Sequence, residues 1–379
     1  MPPLNHAVLS ASSAYRWLEC PPSALATADI PDKTTIYAQE GSAAHEMAEY
    51  KIRWHLGEKD LAPPNIGNFN AEEIDRYTDS YAYYTTDKIE TIRKICPDAI
   101  VMVEQRLDFS NYVKDGFGTG DLVIVADDVL QVIDFKYGKG VTVSAEHNPQ
   151  MMLYALGALN LYGYLYDIKT VKTAIVQPRL DNISEWEISV DELLEWAENT
   201  LKPIPELAAK GEGEFKAGNH CRFCKLRAVC RKRAELMLET AEYEFKEPAE
   251  LNDDEILHIL TIANDLSKWA EDVYSYAQAK AINEGKSWSG FKIVEGRSKR
   301  QYADENKIAE VCRNNGYTMS QIYKSTLIGI TDMEKLMGRK IFKELLGDYI
   351  IKPKGRLTLV PETDKREEVH TLGEFRKEF

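Results

Sequence analysis

The chain has 379 residues and a formal net charge of −14, with 44% hydrophobic and 28% charged residues. That composition is ordinary for a globular protein and excludes a collagen-like, rod-like or generally disordered chain. No apolar run approaches the roughly 18 residues that span a bilayer, so no membrane partner is expected. The acidic balance, with a pI near 5.2, argues against bulk attraction to nucleic acid but not against a local basic track. Met1-Pro2-Pro3-Leu4-Asn5 is not a basic segment ahead of an apolar one, so no secretory signal is expected and the protein should stay in the cytoplasm. The six cysteines are too few and scattered for a secreted disulfide scaffold; in a reducing compartment, clustered cysteines point to metal.

In chain order, residues 10–18 read as a short helix capped by Ser10 or Ser12 and stopped by Pro21 and Pro22. A second helix is expected over about 42–56. After a Pro/Gly/Asn-rich loop, Asn70 and Glu73 have capping-box spacing and open a long helix to about 95. The Val- and Ile-rich segment 99–107 reads as a strand, followed by strands at 120–126 and 129–136 around Asp127-Asp128. Asn148-Pro149 opens a helix to about 162. A strand at 171–177, a helix over 191–209 and a basic, cysteine-rich stretch at 220–233 follow. Past a domain boundary placed near 245, Ile259, Ala263, Leu266, Ala270, Val273 and Ala277 form an apolar helical stripe expected to pack against the body. A strand-like segment near 289–294 leads to Arg297, Lys299 and Arg300. Thr331 and Glu334 form another capping box, and the tail beyond Pro361 is charged. The domains are thus 1–245 and a mainly helical 246–379.

The most informative segment is Gly118 to Lys136. If Asp127-Asp128 is a two-residue hairpin turn, Ala126 pairs with Val129 and Asp121 falls opposite Asp134. Opposed residues share a sheet face with Cβ atoms about 4.5–5.5 Å apart, and Lys136 points to the same face. Two facing carboxylates repel; a divalent cation between them removes that penalty and supplies a Lewis acid and an activated water. A lysine beside them can position the water or stabilise charge on a phosphoryl oxygen. Oxygen ligands suit Mg²⁺ or Mn²⁺. Glu104, on the preceding strand, could add a third carboxylate, and Gln150 and Tyr154 share a helix face just after the hairpin. A solvent-facing hairpin with an Asp–Lys surface pair would use the same residues.

G-x-x-D at Gly118–Asp121, D-x-K at Asp134–Lys136 and Q-x-x-x-Y at Gln150–Tyr154 together resemble the RecB-like branch of the PD-(D/E)XK nuclease superfamily. The resemblance implies an α/β fold with a restriction-endonuclease-like mixed central sheet flanked by helices. It implies catalytic roles for Asp121, Asp134, Lys136, Gln150, Tyr154 and Glu104. That family carries a metal-ligating histidine on an upstream helix, and Gly41–Glu49 is similar to that element, with His45 as ligand beside Asp121 and Asp134; Glu49 is a weaker candidate.

Cys221-x-x-Cys224 and Cys230 suit a soft metal but leave a fourth position open. Cys20, beside prolines at a helix end, occupies a rigid place for a ligand. This layout is similar to the iron–sulfur staple of AddB-type and CRISPR-associated RecB-like nucleases, which implies a [4Fe–4S] cluster tying the ends of the domain together; spacing alone leaves zinc open. Closing so long a loop removes about 4–5 kcal/mol of chain entropy. Cys96 and Cys312 read as plain buried thiols. Arg222, Lys225, Arg227, Arg231, Lys232 and Arg233 could follow phosphates or form a solvated helix face.

The core with this tail also resembles a family found largely in phages and prophages. That implies a bacterial host cell, a DNA nuclease (an exonuclease on single strands or duplex ends), and phage single-strand-binding or recombination proteins as partners. The alternative is a catalytically silent DNA-binding scaffold subunit; an RNA nuclease or structure-specific endonuclease would share the same residues. The chain has no P-loop.

Overall fold

From residue 99 to 136 the sequence is too dense in Val and Ile to leave a polar face, as expected of strands covered on both sides. In the computed structural model, which describes residues 8–31, 35–241, 253–292, 305–314 and 338–346 with a few isolated positions, this segment forms three strands. They are β1 (Ile100–Asp108), β2 (Phe117–Ala126) and β3 (Val129–Phe135). Asp127 makes the turn in the left-handed region, at φ 40°, which a short polar side chain tolerates. The hairpin has the expected register, from Ala126↔Val129 to Leu122↔Ile133. β1 runs antiparallel on the other side of β2, from Ile100↔Val125 to Asp108↔Phe117.

Helix α5 (Pro149–Tyr162), capped by Asn148 with Pro149 at its first turn, crosses over to β4 (Thr170–Gln177), which lies parallel to β3. An antiparallel edge strand, β5 (Asn182–Ser189), completes a five-stranded mixed sheet in the order β1-β2-β3-β4-β5. The chain is therefore α/β. The sequence reading missed β5, whose inward positions include Ser184 beside Trp186 and Ile188 and so carry a weak apolar alternation.

One sheet face is covered by α3 (Ile36–His55) and α4 (Ala71–Ile95). There Ala43, Ala44, Ala48, Ile52, Ile74, Tyr81 and Ile89 bury Leu122, Ile124, Ile133 and Phe135. The opposite face carries α5, apolar all round and hence buried, with Trp17 of α1 (Ala14–Glu19) and Leu193 of α6 (Val190–Trp196) over Val123, Val125, Leu130 and Val132. α2 (Ser23–Ala26) follows α1 directly.

Helix ends differ from expectation where side chains find other partners. α3 starts earlier, because Thr35 Oγ1 accepts the Ala38 N–H at 3.1 Å. Ser10 makes no cap bond and instead meets Ser13 Oγ at 2.9 Å. Asn70 caps α4 through the Glu73 N–H, but the Glu73 carboxylate goes to Arg179 rather than back to the cap. The single helix expected at 191–209 is broken near Pro203 into α6, a π turn at Ala197–Leu201, and α7 (Ile204–Lys210).

α8 (Arg231–Ala241) and α9 (Asp253–Glu284) follow. The α9 stripe is less covered than expected: Ala270 and Val273 are exposed and its other four positions half-buried. Three of the six positions are alanines, which offer little apolar area. The chain divides into two compact units, Met1–Ala277 and Gln278–Phe379. In the second unit α10 (Glu305–Asn314) and α11 (Arg339–Leu346) are described. Thr331, Glu334, Arg297, Lys299, Arg300, the side chain of Cys312 and the tail beyond Pro361 lie outside the described residues.

Two glycines allow α5 to lie close on the sheet. A Cβ on Gly157 would stand 2.9 Å from Leu107, and one on Gly118 only 2.5 Å from the ring of Tyr154. Gly118→Ala is expected to lower stability to urea by about 1–3 kcal/mol through overpacking. Gly138→Ala, with nothing within 4 Å of the added atom, should leave it unchanged or slightly raised; equal effects of the two would refute this account.

Candidate metal centre

The pairs flanking Glu104, Val103↔Leu122 and Gln105↔Gly120, place Glu104 across from Asp121. The hairpin register beyond Leu122↔Ile133 places Asp121 across from Asp134. Three carboxylates thus stand side by side on three adjacent strands. The backbone yields at this row. Glu104 has φ 52° in the middle of β1, a left-handed conformation that costs about 1–3 kcal/mol. The recorded β2–β3 pairs end at Leu122↔Ile133, and Asp121 Oδ2 accepts the Phe135 N–H at 2.6 Å.

His45 reaches this row from α3. Its Nδ1 lies 3.4 Å from Asp121 Oδ1, and its ring centroid is 5.2 Å from that of Phe135. His45, Glu104 and Asp121 each offer a ligand atom within 4.8 Å of the others. Glu104, the third carboxylate that the sequence offered, joins His45 and Asp121, and Asp134 stands beside them. The Asp134 side chain is 5% exposed and 3.0 Å from Lys136 Nζ through Oδ2, yet Oδ2 takes no hydrogen bond. Gln150 bridges the pair, accepting from Lys136 Nζ at 3.1 Å and donating to Asp134 Oδ1 at 3.1 Å. The Gln150 amide also donates to Tyr154 Oη at 3.2 Å. The Tyr154 ring is buried against β2, so its contact with the site runs through Gln150.

The electrostatics follow from burial and like charge. Burial, then the charge of Asp121, raises the Glu104 carboxyl to about 7, with His45 opposing. Burial also raises Asp134, against the pull of Lys136. His45 is pulled down by burial but driven up overall by Asp121, Asp134 and Glu104. Lys136 behaves alike, with burial outweighed by Asp134 and Asp121. These groups fit a divalent cation, with an oxygen-rich donor set, one imidazole and a buried carboxylate oxygen that lacks a hydrogen bond. Glu49 pairs with Arg53 at 2.8 Å, and its charge adds to those that raise Glu104.

Three further residues serve the site without a local sequence signal. Gln177, 2% exposed, accepts the Val143 N–H at 2.7 Å and donates to the Val141 carbonyl at 2.9 Å; it holds the loop between Lys136 and Gln150. Arg179 ties the same end of the sheet to α3 and α4. Tyr81 is stacked on Phe135 at 4.6 Å, and its hydroxyl has no partner. Burial, then Asp121, Asp134 and Glu104, hold that hydroxyl well above its ordinary pKa.

The four cysteines are also brought together. Cys20, Cys221, Cys224 and Cys230 line one cavity with Arg16 and His220. Cys20, Cys221 and Cys224 are buried and no disulfide links them. Among the described residues, His45, Glu104 and Asp121 form a group whose ligand atoms converge within 4.8 Å. His220, unremarked in the sequence beside Cys221, is buried with its Nε2 2.9 Å from the Lys216 carbonyl. Cys96 is buried, with its thiol on Asp98 at 3.2 Å.

The basic stretch is largely occupied by partners within the chain. Arg227 and Arg233 each contact Asp272 at 2.7 Å, Lys225 donates to the Ile30 carbonyl at 2.7 Å, and Lys232 pairs with Glu235 at 3.4 Å. Four of the six cations thus have partners within the chain. Among the described residues no helix is long and apolar enough to cross a membrane.

A carboxyl raised in the folded state is stabilising below its unfolded value and loses that contribution as pH rises through its folded value. For Glu104 the window runs from the ordinary 4.5 to about 7. In EDTA, the wild-type Tm is therefore expected to fall from pH 5 to pH 8 by more than that of Glu104→Gln. An identical fall in both proteins would contradict the crowding of charge at this row.

Comparison with solved structures finds similarity to one titled "Crystal structure of SSO0001", at 15% sequence identity and a TM-score of 0.21, covering 58% of this chain and 97% of that one. A family model described as "Protein of unknown function (DUF2800)" matches residues 6–367, and the chain belongs to that family.

Proposed function

We propose that the protein is a metal-dependent DNA nuclease with a PD-(D/E)XK core of the RecB-like type, acting as an exonuclease on single strands or duplex ends. The observation that carries this reading is the convergence of His45, Glu104 and Asp121 within 4.8 Å, beside an ion pair between buried Asp134 and half-buried Lys136. His45, Glu104, Asp121 and Asp134 would hold Mg²⁺ or Mn²⁺. When bound, that ion supplies a Lewis acid and a water of lowered pKa.

The chain's own residues do the rest. Lys136 remains charged, because Asp134 and Asp121 outweigh its burial, and its ammonium is placed to offset charge developing on a phosphoryl oxygen. Gln150 fixes the position of that ammonium against Asp134. Tyr154 fixes Gln150 in turn. Glu104, its carboxyl raised to about 7, would have to give up its proton to ligate a cation.

Cys20, Cys221, Cys224 and Cys230 line one cavity, and the likeness of this layout to the iron–sulfur staple of RecB-like nucleases supports a [4Fe–4S] cluster over zinc. Cys20, Cys221, Cys224 and Cys230 would hold the cluster and so join α1 to the segment before α8.

Two experiments test these readings. Wild-type protein should degrade end-labelled single- or double-stranded DNA with Mn²⁺ or Mg²⁺. Lys136→Ala and Asp121→Asn should each lower the rate by about 10²–10³-fold while keeping the circular dichroism of the wild type; full activity in both variants would refute the nuclease reading. Anaerobically purified protein should be brown and contain iron and acid-labile sulfide, and Cys20→Ser should lose both and melt at a lower temperature. A colourless wild-type protein holding zinc would refute the cluster.

A further inference from the structure

The packing of α3 leaves the placement of His45 unexplained. Around His45 the buried positions of α3 are Ala43, Ala44 and Ala48, and the large buried side chain, Ile52, comes about two turns later. Small side chains bring a helix close to a sheet but give no interlocking ridges to fix its rotation or its position along its axis. A ligand helix needs such fixing, since a misplacement on the scale of 1 Å weakens a metal site.

Fixing is supplied at both ends of the helix. Toward the C-terminus, Arg53 donates to the Val103 carbonyl at 3.2 Å, beside Glu104. Toward the N-terminus stands Arg179, in the turn after β4, with a side chain 6% exposed. Its guanidinium meets Glu73 of α4 at 2.7 Å and Glu40 of α3 at 3.4 Å. It also lies over the Tyr137 ring, 4.5 Å from the centroid, and Tyr137 Oη contacts the other Glu40 oxygen at 3.4 Å. From there aromatic contacts lead to the site: Tyr137 to Phe135 at 6.1 Å and Phe135 to His45 at 5.2 Å.

We infer that Arg179 and Glu40 form a latch that sets His45 on the metal, making both of them positioning residues for metal affinity. The inference rests on the reading of His45 as a ligand. A planar, forked cation suits the task, because it can hold carboxylates on two helices at once while stacking on Tyr137; a lysine cannot. The alternative is that the latch only adds stability, like Lys51, which also ties α3 to α4 through Asp75 at 2.7 Å and Asp79 at 2.5 Å.

The test is calorimetric titration of full-length, anaerobically purified protein with Mn²⁺ alone. Glu40→Gln and Arg179→Lys should each bind Mn²⁺ about 10-fold more weakly than wild type, as expected when an outer-shell partner is lost. Lys51→Met should bind it with wild-type affinity, whatever its change in Tm. Wild-type affinity in both latch variants, or an equal weakening in Lys51→Met, overturns the latch while leaving the metal centre standing. A wild-type protein that takes up no Mn²⁺ overturns the metal centre and the latch with it.

Discussion

The structure turns on the repulsion among Glu104, Asp121 and Asp134, held in one row by the registers of β1, β2 and β3. A sheet interior built of Val, Ile and Leu offers no water to screen three such groups. Each local departure from regularity answers that crowding. Glu104 leaves the extended backbone, Asp121 turns one oxygen to the Phe135 N–H, and Lys136 is drawn onto Asp134. What remains is a site more negative than its surroundings tolerate, which is the condition for cation affinity without any further binding device.

The recorded pairing of β2 with β3 stops just short of this row, and that has a consequence for access. His45 belongs to the layer of α3 and α4, whereas Gln150 belongs to α5 on the opposite face. Side chains on opposite faces of a continuous sheet do not meet. Where β3 stops pairing with β2 they can, and His45 reaches Asp121 from one side while Gln150 reaches Asp134 from the other. The centre therefore reports the relative placement of both helical layers, and residues that fix those layers, such as Gln177 and Arg179, bear on it without touching it.

Sequence pattern revealed the parts of this arrangement that depend on local chemistry. The Asp127-Asp128 turn fixes the hairpin register by simple counting, so the opposition of Asp121 and Asp134 follows from it. Asn148-Pro149 fixes the start of α5 and hence the approach of Gln150. Glu104 was legible as a third carboxylate on the neighbouring strand, but its left-handed backbone was not, because no periodicity encodes it. Arg179 was equally hidden: its partners Glu40 and Glu73 lie 139 and 106 residues away. The basic run at 222–233 was legible as charge but not in its pairing. Its charges are plain in the sequence, but the carboxylate of Asp272 that neutralises two of them lies far downstream.

The cysteines and the carboxylates share no ligand, yet packing connects them. Cys20 ends α1, whose Trp17 is fully buried in the core that α5 also enters. Arg16 fastens α1 to α2 through the Ser23 carbonyl at 2.7 Å and Thr27 Oγ1 at 2.9 Å. Ligation of Cys20 with Cys221, Cys224 and Cys230 would therefore anchor the first helix of the domain, and that helix buttresses the one carrying Gln150 and Tyr154. Close-packed interiors transmit small displacements rather than absorb them. Loss of thiol ligation then has a mechanical route, from Trp17 through α5 to the amide that holds Lys136 against Asp134, and a chain this acidic has little other positive charge at that row to replace it.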